Sequence, residues 1–551
     1  MPQGVVLVLL VLAGSLLAKM SWDKKTEARK LTNQWGTDEA LKMLEPELLQ
    51  DAAEYWQKKK VSVPGGSQVD DITWNDLSMD DVFCGIDATQ SITGSEVLYA
   101  MLRHTGTQEE RLERRRKAAQ LLQQDEGTRI QVQKALRRIT RGHFHGAQRY
   151  LWNVEFMYPS NRHVYLLLGI LLLLSIALSI FVPRLFTLVI IMMAVNAVVY
   201  YKFSPSWRKE EVALKYLSSV IGAANAMEKI QAPAIRAYLD DIYQANNLLK
   251  PVLRWVPVFS VNGTTLDELL IDYLKIFFLF DVFAYCRIIR HLINRQAEIR
   301  LVFETVGEID SCLALAQMMQ RNEDICKPRF HTQHTVQAEH MLHPLVKNCV
   351  PNRFTWDENI LLTGSNASGK STFIKAVALN AILAQTLGIC FAHTFIMPRA
   401  RVMTSMAIRD DVQAGDSYFI KELKSLKRIA DASREEGFLL CFIDEILRGT
   451  NTQERISASS ALLENLAEQR LLCMAATHDI ELTKILKASY HNWHFREEME
   501  DGRISFTFTL HDGPATSRNA ISLLEQMGFE AEVLSKARSR AADFDAHGTW
   551  R

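Results

Sequence analysis

Gly364-Ser365-Asn366-Ala367-Ser368-Gly369-Lys370-Ser371 fits the spacing GxxxxGK[ST], a pattern whose chemistry is the grip on phosphate. Glycines let backbone N–H groups turn inward around phosphate oxygens, and a following helix adds the positive end of its dipole. Lys370 is expected to reach the β- and γ-phosphates and the Ser371 hydroxyl to ligate Mg²⁺. Residues Gly364 through Thr372 are thus the expected nucleotide-binding set. Further along, the apolar run Phe438 to Ile443 ends in Asp444-Glu445. An acid at the end of a buried strand can hold the Mg²⁺ shell, a role assigned to Asp444. Glu445, beside it, is placed to orient or polarise an attacking water. A third apolar run, Leu471 to Ala476, ends in Thr477-His478-Asp479, and His478 is expected to contact the γ-phosphate or that water. The chemistry implied is ATP hydrolysis with Mg²⁺, Glu445 and His478 being the catalytic candidates.

Three short strands must position these groups. Asn359 to Thr363 precedes the loop and the helical run Thr372 to Leu387 follows it, which is the strand–loop–helix context the pattern needs. Continuous apolar runs such as FLLCFI and LLCMAA read as strands buried on both faces, and their ends converge on the rim where parallel sheets bind ligands.

At this point the chain resembles the MutS family, a branch of the ABC-type ATPases. Its nucleotide loop is similar to the family's GPNxGGKS, with Ser365 and Ser368 in place of Pro and Gly. Asp444-Glu445-Ile446-Leu447-Arg448-Gly449-Thr450 is similar to DELGRGT, and Ala476-Thr477-His478 to its ATH switch. Gly415 to Leu423 resembles the signature segment GRSTFMVEM. By that resemblance Ser417 caps the γ-phosphate held by a partner subunit, which implies a homodimer through the ATPase domains. His343-Pro344 matches an HP pair ahead of the loop, and Gly513-Pro514-Ala515 with Gly528 to Arg538 a closing helical segment. Thr89 to Thr105 is similar to the start of the family's helical core. Family members that read mismatches carry a large N-terminal domain with a Phe-x-Glu wedge. Here only about 70 residues precede the core, which puts mismatch reading in doubt.

The hydrophobic residues, 48% of the chain, are unevenly spread. Val164 to Val182 carries no charge, Pro183-Arg184 interrupts it, and Leu185 to Tyr201 is again uncharged. A bilayer core needs roughly 20 apolar residues per helix, so the simplest reading is a transmembrane hairpin turning at Pro183. Arg141, Arg149 and Arg162 before it, and Lys202, Arg208 and Lys209 after it, place both ends in the cytoplasm. Gly4 to Ala18 is apolar and followed by lysines, which fits an anchor with its N-terminus outside; a cleaved signal is the alternative. The basic stretch Lys134 to Arg149 suits either a solvated helix or anionic lipid headgroups.

Lys plus Arg and Asp plus Glu both number 63, so no global basic excess announces a nucleic-acid binder. The 8 cysteines include no CxxC pair and read as reduced core residues. His331, His334, His340 and His343 match no standard zinc spacing.

The expected fold is an α/β C-terminal ATPase domain with all-α core or lever helices and the membrane hairpin. Its expected segments are an anchor at 1–20, a leader and linker at 21–68, a first helical arm at 69–160 and the hairpin at 161–202. A second arm at 203–335 and the ATPase domain at 336–551 complete it. The expected protein is a multi-pass cell-membrane ATPase with its engine in the cytoplasm, acting on a membrane or cytoplasmic client. A membrane-tethered DNA-binding ATPase is the alternative. A transporter is disfavoured, because no LSGGQ-type signature precedes the acidic strand.

Overall fold

The computed structural model describes residues 22, 25–41, 46–139, 149–152, 162–255, 273–365, 368–406, 418–500, 503–515 and 520–547. The expected anchor at 1–20, most of the 134–149 basic stretch, Asn366, Ala367 and Ser417 therefore lie wholly or partly outside the described residues. The chain forms two units, each drawn from separate segments. The first comprises Met1–Val61, Ile86–Ala100 and Arg114–Arg321; the second comprises Ser62–Gly85, Met101–Glu113 and Asn322–Arg551.

The first unit is helical among its described residues. Its principal helices are most of α1 (Ile92–Leu102) and of α2 (Glu109–Gln124), with α3 (Arg162–Phe181), α4 (Phe186–Met227), α5 (Pro233–Leu249), α6 (Phe280–Leu292) and α7 (Gln296–Arg321). α7 is the spine, buried almost without interruption from Val302 to Met318. Small residues let α1 lie directly on it. A Cβ added at Gly307 would sit 2.8 Å from the Thr93 carbonyl, and one at Gly94 would sit 2.4 Å from an Asp310 carboxylate oxygen. Asp310, fully buried, receives the Gln90 N–H at 2.7 Å, the Ser91 N–H at 2.9 Å and the Ser91 hydroxyl at 2.6 Å. Donors at the start of α1, which have no partner within their own helix, are thereby satisfied by a carboxylate from α7.

α3 and α4 meet at a 3₁₀ turn, Pro183–Leu185. His163–Phe181 and Pro183–Lys202 are both long and apolar enough to cross a membrane, with mean hydropathies of 2.7 and 1.8. Only 11% and 17% of these windows is buried. Leu167, Leu173, Ile180, Ile190 and Val198 are exposed, so the two helices do not serve as the core of their unit. α4 continues as one helix of 42 residues, running from the apolar window into the helical body.

The second unit is a mixed α/β domain. Its main sheet holds β1 (Ile360–Thr363), β2 (Arg401–Ser405), β3 (Leu439–Asp444), β4 (Leu471–Ala476), β5 (His491–Glu500) and β6 (Arg503–Asp512), in the order β6-β5-β1-β4-β3-β2. Pairing is parallel throughout except for the β5–β6 hairpin. β1 and β4 are buried along their whole length, as their continuous apolar runs require. Helix α8 (Lys370–Thr386) follows the loop, with α9 (Tyr418–Ala432) and α10 (Thr452–Ala467) later in the chain. A second sheet joins Arg329–His331, Thr394–Pro398, Val336–Met341 and Asn352–Trp356 in that spatial order.

His343, of the His-Pro pair, is buried, and its Nδ1 accepts the Leu345 N–H at 3.1 Å. Burial, with the Lys375 charge second, pushes the imidazole down to about 4. The unfolded chain binds this proton at about 6.5, so stability present above 6.5 is lost as pH falls toward the folded value. By pH 5 the loss is about 2 kcal/mol. His343→Asn, which keeps an acceptor and cannot titrate, should flatten that part of the slope when unfolding free energies at pH 7 and pH 5 are compared.

Candidate nucleotide site

The three parallel strands end level with one another. Ala476 pairs with Leu362 on one side and with Asp444 on the other, and beyond them the Thr477 N–H donates to the Leu362 carbonyl. The Glu445 N–H likewise donates to the Ala476 carbonyl at 3.0 Å. Residues immediately after β1, β3 and β4 are therefore delivered to one edge of the sheet, as their sequence positions implied.

After β1 the backbone turns sharply. Gly364 has φ +146°, and a Cβ there would lie 2.7 Å from the Phe495 carbonyl; Gly369, at φ +105°, opens α8 with a Phe508 ring carbon 3.1 Å from where its Cβ would be. Both positions demand glycine. Lys370 is buried, and its ammonium donates to the carbonyls of Gly364 at 2.6 Å and Ser365 at 2.7 Å, bridging the mouth of the loop. Ser371 and Thr372 are exposed on the first turn of α8. The buried Ser368 hydroxyl has no hydrogen-bond partner among the described residues.

Asp444 and Glu445 divide the opposite wall. The Asp444 Oδ1 is buried and without a hydrogen-bond partner among the described residues, a costly state for a carboxylate oxygen and one that a cation would relieve. Glu445 adopts a left-handed conformation, φ +56°, and Leu447 another at +58°. Such residues persist where surroundings over-determine them. The pin is Glu422 on α9, a buried carboxylate that accepts the Leu447 N–H and lies against the backbone of Arg448 and Gly449. Burial raises the Glu422 acid above its usual range, against those backbone bonds. Gly449 is tight as well: its Cβ would come 3.0 Å from Phe419.

The Glu445 carboxylate faces inward to His478, whose Nε2 lies 3.0 Å from Oε1, and the same oxygen is paired with Arg448. Burial, then the Lys370 and Arg448 charges, hold His478 below its ordinary value, so the ring is neutral at pH 7. The Gly364 backbone and the Asp444 charge also act on that ring, which ties the loop, the acids and the histidine into one cluster. Behind it Asp479 receives a two-pronged bond from Arg455, at 2.8 and 2.7 Å, fixing the turn that carries His478. Sequence spacing found the cluster's members but assigned no role to Glu422, Arg448 or Arg455. Glu422 lay within a quoted motif, yet its task of pinning a distant turn leaves no local signal.

Residues 360–545 match MutS domain V. "DNA mismatch repair protein MutS" of Thermus thermophilus is 30% identical over 257 residues, covering 46% of this chain and 31% of that protein. Its namesake in Pseudothermotoga lettingae is 33% identical over 246 residues, covering 43% and 30%, and that of Geobacillus thermodenitrificans 30% over 259 residues, covering 44% and 28%. The match places a MutS domain V at residues 360–545. The chain spans less than a third of the length of these MutS relatives, 31% at most. The mixed α/β sheet is the MutS domain V, and the glycine loop, the Asp444-Glu445 pair and His478 all fall inside the matched residues.

Proposed function

We propose that the protein is a membrane-anchored MutS-type ATPase that binds and hydrolyses ATP at a site completed by a second copy. The observation that carries the reading is the meeting of Lys370, Asp444, Glu445 and His478 at one edge of a parallel sheet. Ser371 and Asp444 are the residues that would hold a magnesium ion, which would supply positive charge against the phosphates. The orphaned Asp444 oxygen suits that ion. Lys370 exchanges its two loop carbonyls for phosphate oxygens, and the loop N–H groups close around them. Glu445 orients a water on the γ-phosphorus and takes its proton as the P–O bond to ADP breaks. Neutral His478 steadies that water or the γ-phosphate. Ser417 of the partner subunit caps the γ-phosphate.

Two further features support the motor reading. The apolar helices α3 and α4 form the membrane hairpin, and α4 joins its second span to the helical body without interruption. Closure on ATP then moves helical arms that are continuous with the hairpin, and the ATPase domain works in the cytoplasm on a membrane or cytoplasmic client.

The direct test is nucleotide binding by detergent-solubilised protein. Lys370→Met removes a charge-assisted contact worth about 1.5–3 kcal/mol, so ATP affinity should fall about 10- to 100-fold with ADP less affected. Unchanged ATP affinity would remove Lys370 from the site.

A second reading follows from the relatives' printed name, that the protein also binds DNA. Binding of duplex or branched DNA that weakens steeply with salt would favour it, and none at low salt would dismiss it.

A further inference from the structure

Resting on the membrane reading above, a third segment and a cavity beside the hairpin point to a lipid site. Residues 273–278 are helical, Leu279 breaks the helix at φ +56°, and α6 begins at Phe280. This broken helix is fastened to both hairpin helices. The buried Asn196 of α4 donates from Nδ2 to the Phe277 carbonyl at 2.7 Å and to the Leu168 carbonyl at 3.4 Å. Gly169 lets α3 approach so closely that a Cβ there would lie 3.2 Å from the Phe278 carbonyl. The Tyr200 hydroxyl donates to Asp281 at 3.3 Å. In hydrocarbon every backbone carbonyl freed by a helix break needs such a partner.

Between α3 and α6 lies a cavity of about 270 Å³. Tyr165, Gly169 and Leu173 line it along α3, spanning about 12 Å at 1.5 Å per residue. Phe280 and Phe283 face them, and Arg287 and Arg290 share the lining further along α6. Tyr165 is in the first turn of α3, beside the basic flank expected on the cytoplasmic side. The cavity is below the roughly 300–1,000 Å³ that encloses a drug-sized molecule, and fits a single hydrocarbon chain better than a polar solute. Both arginines are exposed, and among the described residues neither meets a carboxylate. Arg287 lies with its guanidinium carbon 5.3 Å from the centre of the Phe283 ring.

We propose that this groove binds an anionic glycerophospholipid, one acyl chain lying between α3 and α6 and its phosphate against Arg287 and Arg290. Inside a bilayer the groove gains little from apolarity alone, because surrounding tails are equally apolar. Selectivity must then come from the two cations, each able to favour an anionic headgroup severalfold near the membrane surface.

The experiment incorporates the full chain into bilayers of equal phosphatidylglycerol and phosphatidylcholine, extracts it in mild detergent, and counts retained lipids by native mass spectrometry. Wild type should retain phosphatidylglycerol over phosphatidylcholine about tenfold. Arg287→Gln with Arg290→Gln should bring the ratio to parity, and the Lys pair at those positions should keep most of the preference. Ile170→Trp, which fills the groove, should lower retention of either lipid. No preference in wild type, or a preference that survives both Gln substitutions, overturns the site. Alkaline carbonate extraction separates the two levels: release of the chain from membranes refutes the hairpin and the lipid site together. A chain that stays membrane-bound without lipid preference refutes the lipid site alone.

Discussion

Glu445→Gln should lower ATP turnover about a thousandfold while ATP still binds, and the bound nucleotide should be recovered as ATP rather than ADP. A positioned base contributes about 10²- to 10⁴-fold to such a step. Glutamine keeps the shape of glutamate and can still hydrogen-bond His478, but it cannot take a proton from water. The substitution is also mild structurally, since Glu422 holds the left-handed turn through the Leu447 N–H. Arg448 shares the same Glu445 oxygen and draws on its basicity, so release of Arg448 is expected to accompany activation. Rapid-quench measurement of a single turnover, with filter binding of labelled ATP on the same sample, checks both halves. Hydrolysis at the wild-type rate would remove Glu445 from the chemistry and leave His478 as the candidate.

What could be read from sequence follows from how local each requirement is. Gly364 and Gly369 were legible because the phosphate loop needs positive φ at fixed spacing, and the structure has +146° and +105° there. The β3 and β4 strands were legible because residues buried on both faces make an unbroken apolar run. The β5–β6 hairpin was not, since residues such as Glu497 and Glu498 paired with Phe506 and Ser505 give no continuous apolar signal. Nor was the second sheet, whose strand Val336–Met341 mixes Gln337, Glu339 and His340 among its buried positions. Long-range polar contacts were hidden for a different reason. Asp310 caps the start of α1 from a helix more than two hundred positions away, and nothing near either residue forecasts the pairing. Gly94 could be quoted as part of a motif, but only the 2.4 Å approach of Asp310 explains why no larger residue fits.

The helical unit holds a buried ion pair, and breaking it should have a large effect on stability. Arg115 donates from Nε to Glu308 at 2.6 Å, with side chains only 4% and 5% exposed. Taking both charges out of water is costly, so the pair as a whole adds little. Removing one partner of such a pair typically costs about 3–5 kcal/mol. Arg115→Met should therefore lose about that much in urea unfolding, while Arg115→Met with Glu308→Leu should recover most of it. The surroundings sharpen the expectation. Cys312 is pushed up to about 12, chiefly by burial and then by the Glu308 charge, so this pocket already penalises anions. A loss below about 1 kcal/mol would place the pair among contacts that water already screens.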